Sequence, residues 1–192
     1  MSSVPLRVLS LGAGVQSTTV ALLAARGLID PVDCAIFADT GSEPKAVYAH
    51  LRWLESVLQF PVHHVSAGNL KAEILGAMSD GSNRIDGRPP FLTGSGGMLN
   101  RQCTGDYKIV PIQRKVRELA GIARGARGPK HVTVEQMIGI STDEASRMKD
   151  SRFRWLLHRF PLIERGMSRR DCLKWLLDHG YPTPPKSGEL YT

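Results

Sequence analysis

Apolar residues gather in short apolar-rich runs separated by stretches of helical period. Leu6-Arg7-Val8-Leu9-Ser10-Leu11 is such a run, and it ends at Gly12-Ala13-Gly14. Ser17-Thr18-Thr19-Val20-Ala21-Leu22-Leu23 then carries the chain to Gly27, so the pattern predicts a buried strand, a small-residue turn and a helix. Cys34-Ala35-Ile36-Phe37-Ala38 repeats the unit, with Asp39-Thr40-Gly41-Ser42-Glu43-Pro44 as turn. A helix over 45–58 follows, with Val47, Leu51, Leu54 and Leu58 on one face. Val62 to Ser66 reads as a third strand, and a helix is expected from Leu70 toward Met78. Strands alternating with helices at this spacing give an α/β fold around a parallel sheet with right-handed crossovers.

The rhythm breaks over 79–104, a stretch rich in Gly, Ser, Pro, Asn and Arg and longer than an ordinary connection. Helical spacing returns over 109–123, where Arg and Lys occupy the face opposite Ile109, Ile112, Val116 and Leu119. A basic, Gly-rich turn over 124–130 leads to a fourth strand over 132–140, which ends at Gly139-Ile140-Ser141. Ser168 is the expected N-cap of a last helix that reaches His179 and stops at Gly180. Residues 1–186 read as one domain and 187–192 as a short tail.

Charge sharpens this picture. The 192 residues carry a formal net charge of +7. Residues 1–100 hold 7 Lys/Arg against 8 Asp/Glu, whereas 101–192 hold 18 against 10. So one-sided an excess points to a polyanion, whether a nucleotide's phosphates or a nucleic acid; a solvated basic face accounts for the charge alone equally well. No run approaches the roughly 20 apolar residues of a membrane span, and the N-terminus lacks the sections of a secretory signal. Three cysteines, odd in number and far apart, form no disulfide framework, so a reducing, cytoplasmic setting is expected.

The chemistry should lie outside the carboxyl ends of the strands. At Gly12-Ala13-Gly14-Val15-Gln16-Ser17 the backbone can approach a ligand without side-chain clash, and the following helix offers free N–H groups to an anion. Ser17 and Thr18 add hydroxyl donors. The loop is neither a Walker A sequence nor a dinucleotide Gly-x-Gly-x-x-Gly, and a glycine-rich turn of this kind serves packing as readily as phosphate binding.

Leu11-Gly12-Ala13-Gly14-Val15-Gln16-Ser17-Thr18 resembles the phosphate loop of the adenine nucleotide alpha hydrolase superfamily, the PP-loop ATP pyrophosphatases and sulfonucleotide reductases. The likeness is to the phage and bacterial branch described as phosphoadenosine phosphosulfate reductase-like. Further matches run in order: Phe37-Ala38-Asp39-Thr40-Gly41-Ser42-Glu43-Pro44, then Arg101-Gln102-Cys103-Thr104 with Asp106 to Ile112, then Ile138 to Glu144 with Arg147, and finally Phe160-Pro161-Leu162-Ile163-Glu164. Together they span residues 7–186.

The resemblance implies an open, mainly parallel five-stranded sheet with helices on both faces, Rossmann-like, and a site for ATP or a related adenylyl nucleotide. Ser10, Gly12, Ala13, Gly14, Gln16, Ser17 and Thr18 would cradle the phosphates, and Asp39, Thr40 and Gly41 would lie beside the nucleoside. A plain Asx-type turn is the alternative for Asp39. Gln16 replaces a frequent aspartate of the family's loop, which leaves magnesium use open. Arg101, Lys108 and Arg147 would neutralise phosphate charge in cleavage between the α and β phosphates. For Arg147, pairing with Asp143 one helical turn away is the competing role.

Cys103 and Cys172 match two positions of a possible iron-sulfur ligand set whose final Cys-x-x-Cys would follow Pro184-Pro185-Lys186-Ser187. No cysteine follows there, so either the chain is truncated or this member dispenses with the cluster. The ending also lacks the C-terminal nucleophilic cysteine of true sulfonucleotide reductases. Adenylation of an acceptor, a transferase reaction with onward sulfur transfer as one use and nucleic acid as a candidate acceptor, is the first functional expectation. A sulfonucleotide reductase and a catalytically reduced nucleotide-binding protein are the alternatives. Cys34, Trp53, Trp155 and Trp175 are expected in the core, and the six histidines form no metal pattern.

Overall fold

The computed structural model describes residues 5–41, 43–68 and 108–185. The helix expected beyond Leu70, the stretch 79–104, Arg101 and Cys103 lie outside them. Five strands, β1 (Leu6–Leu11), β2 (Cys34–Asp39), β3 (Val62–Ser66), β4 (Val134–Ile138) and β5 (Leu156–Arg159), form one sheet in the order β3-β2-β1-β4-β5. Every pairing is parallel. Central β1 sets the register, with Val8 opposite Cys34 on one side and Gln136 on the other.

The helices are α1 (Val15–Ala25), α2 (Lys45–Val57), α3 (Val110–Leu119), a single turn α4 (Pro161–Glu164) and α5 (Arg169–Asp178), with a 3-10 helix over Thr142–Arg147. Alternate side chains of each central strand reach opposite cores, because a strand's side chains alternate and helices cover both faces. Leu9, Leu11, Ala35 and Phe37 pack with α1, α2 and α5 through Val20, Leu51, Leu54 and Leu176. Val8, Cys34 and Ile36 face the other way, toward Val116 of α3, Trp155 and Leu156. Each fully buried Leu or Phe contributes about 1.5–3 kcal/mol. Trp155 is buried, while Trp53 and Trp175 pack half-buried against the first core.

Helix α1 is buried on every side from Val15 to Ala24, which explains why its sequence shows no polar stripe. It lies between the sheet and α5, where Cys172 and Leu176 meet it. Ser168 caps α5 as expected: its hydroxyl accepts from the Asp171 N–H at 3.2 Å while Asp171 accepts from the Ser168 N–H at 2.9 Å. Two differences from the sequence reading matter. Strand β5 was not located by pattern, since Leu156-Leu157-His158-Arg159 is four residues long and half polar at the sheet edge. The segment from Asp143 to Arg147 winds as a 3-10 helix, which moves the partner of Arg147 from Asp143 to Glu144, at 2.6 Å.

Candidate nucleotide-phosphate site

The strand order reverses direction between β1 and β4, and the crevice outside the carboxyl ends of these two strands is where an open parallel sheet leaves room for a ligand. A cleft of ≈ 450 Å³ lies there. Its floor is the β1–α1 turn, with Ser10, Gly12, Gly14, Gln16 and Ser17, together with Ile138 and Gly139 at the end of β4. Lys108, Arg147 and Arg169 stand around it with Glu144, and Phe37 and Ile112 supply an apolar wall. A larger hollow of ≈ 540 Å³ lies elsewhere, at the far end of α3. The chemistry-bearing residues gather in the smaller one.

The glycines of the turn behave differently from one another. A Cβ on Gly14 would meet nothing within 4 Å, and one on Gly12 would meet only Ser17 Oγ at an ordinary 3.7 Å. Gly14 has φ −94° and ψ 178°, which any residue adopts. Neither internal packing nor backbone conformation therefore demands glycine at these two positions. Gly139 is the opposite case: its Cβ would stand 2.7 Å from the Ser17 nitrogen and 2.9 Å from the Ser17 Cα, so the end of β4 presses directly on the first turn of α1. Between the two open glycines, Ala13 holds φ +53° in the left-handed region, a conformation that costs a non-glycine residue about 1 kcal/mol or more.

Helix α1 begins at Gly14 with no side-chain cap and no acidic residue in its first turn. Its positive end is thus uncompensated within the described residues and faces the cleft. Ser17 closes the turn, its hydroxyl accepting from the Gly12 N–H at 3.1 Å and donating to the Gly14 carbonyl at 3.3 Å. Thr18 is not in the cleft: it is fully buried and its Oγ1 is 3.0 Å from His50 Nε2. Burial lowers the pKa of His50, which favours the neutral ring in that contact.

Gln16 links three elements. Its Nε2 donates to Glu144 at 3.0 Å and to Ser141 Oγ at 3.3 Å, and its Oε1 accepts from Arg169 Nη1 at 2.9 Å. A neutral amide thereby holds a guanidinium at the cleft without cancelling its charge. Arg169 was missed by sequence reasoning. The signal was available, because a cation at the first position of a helix opposes the macrodipole and calls for another reason to be there. Asp143 secures the same end of α5 by accepting from the Arg169 N–H at 2.9 Å, and its carboxyl is held below the usual range by the Ser141 and Arg169 hydrogen bonds.

Lys108 and Arg147 each rest against a carboxylate. Lys108 Nζ lies 2.9 Å from Glu43 Oε1, and Arg147 pairs with Glu144 while remaining 65% exposed. The Lys108–Glu43 pair is part-buried, with Glu43 only 10% exposed, whereas the Arg147–Glu144 pair is the more exposed and of a kind worth about 0–1 kcal/mol. Asp39 forms the Asx turn allowed by sequence: Oδ1 accepts from the Gly41 N–H at 2.8 Å and from Tyr48 Oη at 2.6 Å. Tyr48 is pushed up to about 12 by burial and by that hydrogen bond, which keeps it a proton donor. The Asp39-Thr40-Gly41 turn adjoins the cleft through Ala38 and does not line it.

Cys172 is completely buried between α1 and α5, and burial pushes its thiol up to about 11, as it does that of Cys34. In the described structure Cys172 packs as a core residue between the two helices. Among the described residues no three His, Cys, Asp or Glu side chains gather to hold a metal. Cys103, the other cysteine of that set, lies outside the described residues.

An open all-parallel sheet with a bare helix N-terminus at its switch point defines the class: a doubly wound α/β fold. Among solved structures the chain is similar to phosphoadenylyl-sulfate (PAPS) reductase from Candida auris, solved as a phosphate complex, with TM-score 0.63 and 15% identity over 99% of this chain and 84% of that one. The fold is therefore shared with PAPS reductase, as the sequence motifs led one to expect. No protein-family model matches the chain, and no curated protein matches it. No helix among the described residues is long and apolar enough to cross a membrane.

Proposed function

We propose that this chain binds ATP or a related adenylyl nucleotide with its phosphates over the Gly12–Ser17 turn, and that it cleaves ATP between the α and β phosphates. In that step an acceptor oxygen attacks the α phosphorus, the bond to the bridging oxygen breaks, and the acceptor leaves as its adenylate with pyrophosphate as the other product. The observation that carries the reading is the open space above Gly12 and Gly14 at the uncapped start of α1, ringed by Lys108, Arg147 and Arg169. The free N–H groups and three cations supply the charge neutralisation that phosphoryl chemistry asks of a protein.

Within this reading Arg169 and Lys108 bind the phosphates, Gln16 positions Arg169, and Ser10 and Ser17 complete the cradle. Arg101, outside the described residues, would add a further cation. Magnesium, where used, would take most of its oxygens from the nucleotide, with Glu144 as the carboxylate at hand in the cleft. Sulfur transfer onto the activated acceptor, with a nucleic acid as acceptor, is the downstream use proposed, in a reducing cytoplasm.

The phosphate-bound PAPS reductase favours a second reading, reduction of an adenylyl sulfate. Both described cysteines are buried with raised thiols, so neither provides the nucleophile such a reaction needs. A third reading is a binding protein that holds the nucleotide without turnover. Three readouts separate them: pyrophosphate release from ATP, sulfite release from an adenylyl sulfate with a thiol donor, and binding with neither product. Calorimetric titration tests the shared premise. Lys108→Ala is expected to weaken ATP binding about tenfold or more and adenosine binding hardly at all; equal losses for both ligands would remove Lys108 from the phosphate site.

A further inference from the structure

The larger hollow lies at the opposite edge of the sheet. It is lined by Arg114, Arg117, Glu118, Arg124 and neighbouring backbone, where α3 ends and the chain turns back toward the amino end of β4. The loop into β5 adds Arg152 and Arg154, which flank Phe153 and precede Trp155, the ring that Arg117 covers. Between residues 114 and 130 stand six Lys/Arg against the single acid Glu118, which is paired with Lys115. Arg114, Arg124, Arg127, Lys130, Arg152 and Arg154 make no ion pair among the described residues, and all six are exposed.

These charges sit on a braced support. Arg117 donates to the Ala126 carbonyl at 2.7 Å and to that of Ala123 at 3.1 Å, so it ties the tip to α3, and its guanidinium lies 5.8 Å from the Trp155 ring centroid. Gly128 is pressed against the same indole so closely that a Cβ there would overlap the ring at 2.1 Å. Phe153 stacks on Trp155 with centroids 5.6 Å apart, and Arg152 covers Phe153 at 4.9 Å. A solvated basic face has no need of such bracing. Fixing the tip before binding lowers the ordering cost of binding to it.

We infer that this arginine-rich amino edge is a docking surface for the phosphate backbone of a nucleic acid. Arginine dominates over lysine, as suits forked contacts to phosphate oxygens, and the concave hollow suits a projecting backbone more than a flat lipid surface. The surface is separate from the nucleotide cleft, since α3 runs between them for ten residues, about 15 Å. It stands whether or not the cleft binds ATP.

The test is fluorescence anisotropy of a labelled single strand of about 20 nucleotides over a salt series, with the full-length protein. The variant R114A/R124A/R127A removes three exposed cations that make no ion pair or side-chain hydrogen bond among the described residues. The control R26A/R52A/K174A removes the same charge from other faces. The inference expects the patch variant to bind at least about tenfold more weakly near 100 mM salt and to lower the slope of log K against log salt by about two, with the control close to wild type. Equal weakening by both variants, or wild-type protein that binds anionic vesicles and not the oligonucleotide, would overturn it. ATP titration of the patch variant should match wild type. Loss of ATP binding in every protein alongside intact oligonucleotide binding would strike the nucleotide reading and leave this one standing.

Discussion

Arg169 and Lys108 reach the cleft by different means, and the difference is energetic. Lys108 rests on Glu43 and must leave it, whereas the Arg169 guanidinium is held by the neutral Oε1 of Gln16, with Asp143 the carboxylate nearby. Arg169→Ala should therefore lower ATP affinity by about ten- to a hundredfold, the worth of one or two charge-assisted hydrogen bonds, with adenosine affinity unchanged in the same calorimeter. Arg169→Lys should recover only part, because a point charge cannot reach phosphate and Gln16 together as a fork can. An alanine variant with wild-type ATP affinity would show that Arg169 serves only to fasten α5. Sequence motifs located Ser10, Gly12, Gly14, Gln16, Ser17, Lys108 and Arg147 in the cleft. They placed Thr18 there too, since two adjacent hydroxyls look alike in sequence, and only the helix phase turns one of them toward His50.

At the scale of elements, the site depends on how closely β4 meets α1. Gly139 permits backbone contact where any side chain would push against the Ser17 nitrogen. Gly139→Ala is expected to cost about 1–3 kcal/mol, read as a lowered denaturation midpoint, and to weaken ATP binding by shifting the first turn of α1. A midpoint equal to wild type would mean that the turn yields without strain. The first three strands and two helices were legible because both helices carry their stop or start residues and the first two strands are apolar-rich runs. β5 escaped notice for a physical reason: an edge strand that shares Leu157 and His158 with solvent has no need of the apolar alternation that betrays a central one. The shift of the Arg147 partner was equally hidden, since α and 3-10 turns differ in spacing by less than one residue.

Across the whole molecule the positive charge divides between two opposite edges of one parallel sheet. The carboxyl edge carries Lys108, Arg147 and Arg169 around a cleft, and the amino edge carries the braced arginines beyond α3. Summed charge revealed the excess in the second half of the chain but could not reveal this division, because α3 and the loop into β5 are brought together only by folding.

The central claim is that the start of α1 is left bare for phosphate, and Gly14→Asp tests it most directly. Gly14 already has the extended backbone of an N-cap, and its Cβ position is open. An aspartate there would cap α1 and complement its dipole, so stability should hold or rise by up to about 1 kcal/mol, while the carboxylate takes the N–H groups and repels the ligand. The account predicts a melting temperature at or above wild type together with loss of ATP binding by calorimetry. A stable Gly14→Asp protein that bound ATP with wild-type affinity would contradict it.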